Sequence, residues 1–179
     1  MRIAQIVTST KELNQKVHNA YMKQVKEDKK NFVYGAGKLK YLFIDLDGDA
    51  IDELITYPGC NMPDQIIYAY SNGTVRQIDM LNYCKIDAYY ESTHVTQSTY
   101  DNWNIGMKQV SYSKWNNGTN VCIASESCQY MYEYNLVDKP IWHTFINEKE
   151  VSKTKYQKYI ETLKKGKIID FSKITWDNY

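Results

Sequence analysis

Leu13, Val17, Tyr21 and Val25 recur every four residues, with Ala20 alongside. That spacing lays an apolar stripe down one side of a helix. Ser9-Thr10-Lys11-Glu12 has the form of a capping box at its start, and Lys26 to Lys30 supply positive charge that suits a helix C-terminus. The predicted helix covers about residues 10–29. From about residue 40 to about residue 147 the period shortens to that of strands separated by turns. The predicted strands are 40–45, 53–58, 65–71, 74–80, 84–91, 93–100, 105–114, 119–125, 128–134 and 141–147. Ser71-Asn72-Gly73-Thr74 and Asn116-Asn117-Gly118-Thr119 carry Asn-Gly pairs, the strongest short hairpin signal. Both are also Asn-x-Thr sequons, but turn chemistry accounts for them. Alternation along Gln65 to Tyr70 and Gln129 to Tyr134 predicts antiparallel strands with one wet face. Ser152 caps a second predicted helix over about residues 153–165, with Tyr156, Tyr159, Ile160 and Leu163 as its apolar stripe and Gly166 as its stop. The tail, Ile168 to Phe171 and Ile174 to Trp176, is apolar enough to dock on the rest.

These elements predict a single α+β domain over 1–179. An N-terminal helix precedes a twisted antiparallel β-meander shaped like one propeller blade. A C-terminal helix packs on the sheet, with both helices expected on one face. The aspartate-rich turn described below occurs once, which excludes a full propeller of repeats.

Composition changes this picture little. Hydrophobic residues make up 43% and charged ones 24%, as in an ordinary globular chain. The 17 tyrosines are unusual, and they suit half-buried sheet faces where the hydroxyl reaches water. Charge is uneven. Residues 1–40 carry a net +6, residues 41–140 a net −8 and residues 141–179 a net +3. The aromatic middle is therefore acidic, which speaks against nucleic acid as a partner. No apolar run is long enough to span a membrane, and Arg2 to Val7 is too short for a signal peptide, so an export leader would be absent from this chain. Cys60, Cys84, Cys122 and Cys128 lack zinc-site spacing. A hairpin pairing Cys122 with Cys128 and a set of free thiols are both open readings.

One stretch carries candidate chemistry. Asp45-Leu46-Asp47-Gly48-Asp49-Ala50-Ile51-Asp52-Glu53 sits between two predicted strands and holds five carboxylates in nine residues. Asp45, Asp47 and Asp49 are spaced two apart, so a tight loop turns all three onto one point. The carbonyl of Ile51 and the carboxylate of Glu53 complete an oxygen cage, which suits calcium better than zinc or copper. An EF-hand needs flanking helices and an acidic twelfth residue; here that residue is Thr56.

The loop resembles the Asp-x-Asp-Gly-Asp-Gly-x-x-Glu-Leu calcium loop of FG-GAP-type modules. It is also similar to exported proteins of unknown function from gut clostridial bacteria. The resemblance implies a structural calcium ion held by Asp45, Asp47, Asp49, Ile51 and Glu53. It further implies a non-enzymatic, extracellular or cell-surface domain that binds an unknown protein or glycan. Where that family has Gly after the third Asp, this chain has Ala50, and positive φ there would strain an alanine. Lower affinity, or a cage adjusted through Asp52 and a water, would follow. Asp45-Leu46-Asp47-Gly48 also resembles the first motif of haloacid-dehalogenase-type phosphatases, which implies magnesium and Asp45 as nucleophile. That family continues with Thr or Val after the Gly, where this chain has Asp49, and it needs helices between its strands. A secreted partner-binding or immunity protein is the third reading.

His18, His94 and His143 are far apart and read as structural or exposed rather than as ligands. Ser125-Glu126-Ser127 lacks the glycines of a nucleophile elbow. Trp103, Trp115 and Trp142 would form a sugar-stacking platform if they shared an exposed face, although core packing is the usual fate of large aromatics.

Overall fold

The computed structural model describes residues 2–31, 38–57, 65–81, 84–102, 104–116, 118–132, 135–136 and 139–179, with side chains outside 2–11 and 131–136. Helix α1 runs Arg2–Asn31. It starts earlier than predicted, so Ser9 lies inside the helix and is not its N-cap. Serine and threonine are only mildly unfavourable within a helix, so the local capping signal is overridden.

Strands β1 (Lys40–Ile44), β2 (Glu53–Tyr57), β3 (Gln65–Ser71) and β4 (Thr74–Leu81) follow. Next come β5 (Cys84–Tyr90), β6 (Val95–Asn102), β7 (Met107–Asn116) and β8 (Thr119–Gln129). The chain continues through β9 (Met131–Tyr132), β10 (Asn135–Leu136), β11 (Trp142–Ile146) and β12 (Lys149–Glu150) to helix α2 (Lys153–Leu163). The tail adds β13 (Ile168–Asp170) and β14 (Asp177–Asn178). Ser152 caps α2 as predicted, its side chain accepting from the Lys155 N–H.

The expected meander divides into two antiparallel sheets, ordered β14-β1-β2-β3-β4 and β12-β11-β8-β7-β6-β5-β13, beside the small β9–β10 pair. Three apolar clusters order the layers. Val17, Tyr21 and Val25 of α1 pack on Leu54, Ile66 and Tyr68 of the five-stranded sheet. Ile44, Leu46, Ile55 and Ile67 meet Ile86, Tyr89 and Trp115 between the sheets. Tyr156, Ile160 and Leu163 of α2 pack on Tyr90, Val95, Tyr112 and Ala124. The helices therefore cover opposite outer faces, not one face as predicted. β3 consequently has no wet face: Gln65 to Ala69 are all buried, since α1 covers one side and the second sheet the other.

Cys122 and Cys128 lie six residues apart on the single strand β8, a separation of roughly 20 Å at strand rise, and do not pair. Cys84, Cys122 and Cys128 are free thiols, and Cys60 lies outside the described residues. Among the described residues no helix is long and apolar enough to cross a membrane.

Candidate metal centre

The acidic loop joins β1 to β2, whose register closes with Ile44 opposite Glu53. Leu46 is fully buried and plugs the loop into the core between the sheets, so Asp45 and Asp47 on either side turn outward. The loop then folds on its own carboxylates. Asp45 accepts from the Gly48 N–H at 2.6 Å and the Ala50 N–H at 3.0 Å. Asp47 accepts from the Asp49 N–H at 3.3 Å, and Asp49 from the Ile51 N–H at 2.7 Å. These turns require left-handed backbone at Gly48 (φ 81°) and at Ala50 (φ 68°). The positive φ expected at Ala50 is thus present, and the alanine carries its steric strain.

One oxygen from each of Asp45, Asp47 and Asp49 lies within 4.8 Å of the others. Glu53 stands apart from this trio. It is 3% exposed, and its carboxylate accepts from the Leu46 N–H at 2.8 Å. Glu53 and Ile51 border a cavity of about 320 Å³ that Asp47 and Asp49 also line. Burial first, then the charges of Asp47, Asp49 and Asp45, push the Glu53 carboxyl up to about 8, against the opposing pull of the Leu46 N–H. Asp49 is raised as well, by burial and then by Asp47 and Asp45, although the Ile51 N–H opposes this. Among the described residues no lysine or arginine forms an ion pair with any of the four.

Residues from three other elements brace the loop, a role that nothing local in the sequence assigns to them. Asn14 of α1 donates to the Ala50 carbonyl at 3.0 Å and accepts from the Asp52 N–H at 3.4 Å. His18, one turn on, contacts Asp52 at 2.6 Å and stacks on Phe43 with ring centroids 4.0 Å apart. Asp52 is thus turned to the helix rather than to the aspartate trio. The β7–β8 turn delivers the Gly118 N–H to Asp47 at 2.8 Å. His94 pairs with the Tyr89 hydroxyl at 3.0 Å, and its ring lies where a Cβ on Gly48 would sit. Two of the three histidines therefore support the loop from outside the carboxylate cluster. Asn14 and His18 share a helical face at i, i+4, a polar pair beside the apolar stripe that is a usable signal in retrospect.

Other candidates separate. Trp115 is 2% exposed and donates its indole N–H to Thr96, so it belongs to the core and not to a sugar platform. Trp142 is partly exposed on β11, and Trp103 lies outside the described residues. His143 forms an exposed pair with Glu150.

The clustered donors are all oxygen, in a loop already turned by its own backbone. Such a set suits a hard divalent cation and offers neither the thiolate nor the imidazole that zinc or copper prefers. Comparison with protein-family models, curated proteins and solved structures finds no match to this chain.

Proposed function

We propose that this chain is a non-enzymatic domain in which Asp45, Asp47, Asp49, the Ile51 carbonyl and Glu53 hold one structural calcium ion. Its task is binding or adhesion at the outside of a cell, with a glycan or protein as ligand. The observation that carries the reading is the convergence of three aspartates beside a buried, proton-hungry Glu53, with no lysine or arginine in ion-pair contact among the described residues, although Arg76 borders the same cavity. A divalent cation would cancel that charge and tie β1 to β2. Millimolar calcium outside cells fills even a weak cage, which favours an exported setting.

Topology weighs against the phosphatase reading. β1 and β2 are antiparallel neighbours joined by the acidic loop itself, where that chemistry needs a helix and a parallel strand. The deciding experiment is thermal unfolding in chelator and in calcium. A calcium concentration a hundredfold above Kd should stabilise the fold by about 3 kcal/mol, roughly 6–12 °C in Tm. Asp47→Ala should remove that response. Equal Tm in both conditions would sink the metal reading, and aryl-phosphate hydrolysis lost in Asp45→Asn would replace it with the phosphatase.

A further inference from the structure

The C-terminal tail straps the two sheets together. β13 joins the seven-stranded sheet with Asp170 opposite Ala88, and β14 joins the five-stranded sheet with Asn178 opposite Lys40. The chain between them carries Phe171 and Trp176 across the seam, and the Phe171 N–H is fixed to the Asp87 carbonyl at 2.9 Å. Lys40 in turn lies opposite Tyr57. At this seam a cavity of about 330 Å³ opens, bordered by Tyr57, Trp176, Gln65, Lys40, Lys85 and Asp87 among others. That volume is at the lower end for small-molecule sites, which run from about 300 to 1,000 Å³.

Its walls are specific in chemistry. The Tyr57 and Trp176 rings are inclined at 47° with centroids 6.3 Å apart, an open aromatic corner. Phe171, itself buried, meets Trp176 edge-on at 6.2 Å, which positions the indole without a face-to-face stack. Gln65 is 5% exposed, and its carbonyl oxygen is fixed by the Ile86 N–H at 2.9 Å, so a buried amide is set rigidly in the wall. Asp87 has one oxygen held by the Thr99 hydroxyl, while its other lies 3.8 Å from the Lys85 ammonium, beyond hydrogen-bond reach. Two lysines, Lys40 and Lys85, and two aspartates, Asp87 and Asp170, border the rim, so it carries charge of both signs. Asp170 is already held by Lys173 at 2.9 Å and by Ser172, which leaves Asp87 and the two lysines as the groups free to meet a ligand, and a wholly apolar ligand would leave them without a partner. A sugar ring fits both features: its C–H face lies on an aromatic wall, and its hydroxyls each donate and accept along a mixed rim.

We propose that this corner is a binding site for a neutral saccharide, stacked against Trp176 and Tyr57. The proposal rests on the reading of the chain as a binding module and supplies its ligand class. The test is chemical-shift mapping of the whole chain during titration with methyl glycosides of glucose, galactose, mannose and N-acetylglucosamine and their disaccharides. Shifts should gather at the Trp176 indole N–H, the Gln65 side-chain amide and the Phe171 backbone N–H. Trp176→Ala should weaken binding about tenfold, while Trp142→Ala leaves it unchanged. Should Trp176→Ala fail to fold, the wild-type map carries the test together with Lys85→Ala, at an exposed position on the rim, which should weaken sugar binding severalfold; unchanged affinity in a folded Lys85→Ala overturns the proposal. No saturable shift at tens of millimolar sugar overturns the proposal, as do shifts centred on Trp142, or inorganic phosphate binding the corner more tightly than every sugar. Calcium-dependent Tm is read on the same samples. Sugar binding without a calcium response sinks the metal and keeps this site, and the converse result does the reverse.

Discussion

Asp28 near the end of α1 and Glu53 at the start of β2 are buried to the same degree, 4% and 3% exposed, yet their surroundings are opposite. Asp28 receives the Tyr68 hydroxyl at 2.8 and 2.9 Å, the Thr56 hydroxyl at 3.0 Å and the Gln24 amide at 2.8 Å. Glu53 receives one backbone N–H and feels three other carboxylates. A buried charge is stable when donors replace its lost water, and costly when they do not. The first carboxylate is completed by the protein. The second is completed by a proton or by a cation from outside. One is a latch that fastens the helix to the sheet, and the other is a socket.

The largest effect should come from breaking the latch. Asp28→Ala strands two buried hydroxyls, one of them on Thr56, which has no exposed surface. The expected loss is about 2–4 kcal/mol in urea unfolding, equal with and without calcium. A loss that calcium restores would merge the two regions and undo the contrast.

The socket should show itself through pH. A carboxyl raised from 4.5 to about 8 stays protonated in the folded chain where the unfolded chain has released its proton. The fold therefore suffers no penalty below about 4.5, and stability falls as pH rises toward about 8. The raised Asp49 acts in the same direction. In chelator, Tm should decline across this window, and Glu53→Gln should remove most of the decline, raising Tm at pH 8 on the order of 5 °C. In calcium the wild-type decline should vanish, because the ligands bind metal only when ionised, and the same substitution should now destabilise. A single variant with opposite signs in the two buffers is the signature sought. A flat wild-type profile in chelator would mean that Glu53 is not the isolated charge its surroundings imply.

The contrast was half legible in the sequence. The acidic loop was readable because its spacing and flanking strands are local, and so was the β3–β4 hairpin with its Asn72-Gly73 turn, whereas the predicted strands 119–125 and 128–134 are instead one strand, Thr119–Gln129, followed by the short Met131–Tyr132, because pairing with β7 carries β8 through the expected break. Asp28 passed as one more charge at a helix end, since its partners Thr56 and Tyr68 lie 28 and 40 residues away. His18 and His94 read as structural or exposed, and neither ring joins the carboxylate cluster; their place beside the loop was not legible because Asp52 and Gly48 lie 34 and 46 residues away. The division into two sheets, with a helix outside each, depends on which apolar faces meet, and strand propensity does not decide that. The tail was read as docking; that it adds a strand to each sheet follows from sheet edges that only the assembled fold exposes.

The smallest expected effect bears on whether the socket exists before it is filled. Ala50 is exposed, so replacing it removes no packing, and its N–H and carbonyl are already held by Asp45 and Asn14. A left-handed alanine costs roughly 1–2 kcal/mol, and the greater chain entropy of glycine offsets about half of that. Ala50→Gly should therefore stabilise the protein by about 0.5–1 kcal/mol. If the loop is formed without metal, as its internal hydrogen bonds indicate, the gain should be equal in chelator and in calcium, and Kd should not move. If the turn forms only around an ion, the gain should appear as calcium affinity two- to fivefold higher, with chelator stability unchanged. Unfolding curves and a calcium titration on this one variant separate a socket prepared by the chain from one the ion itself must shape.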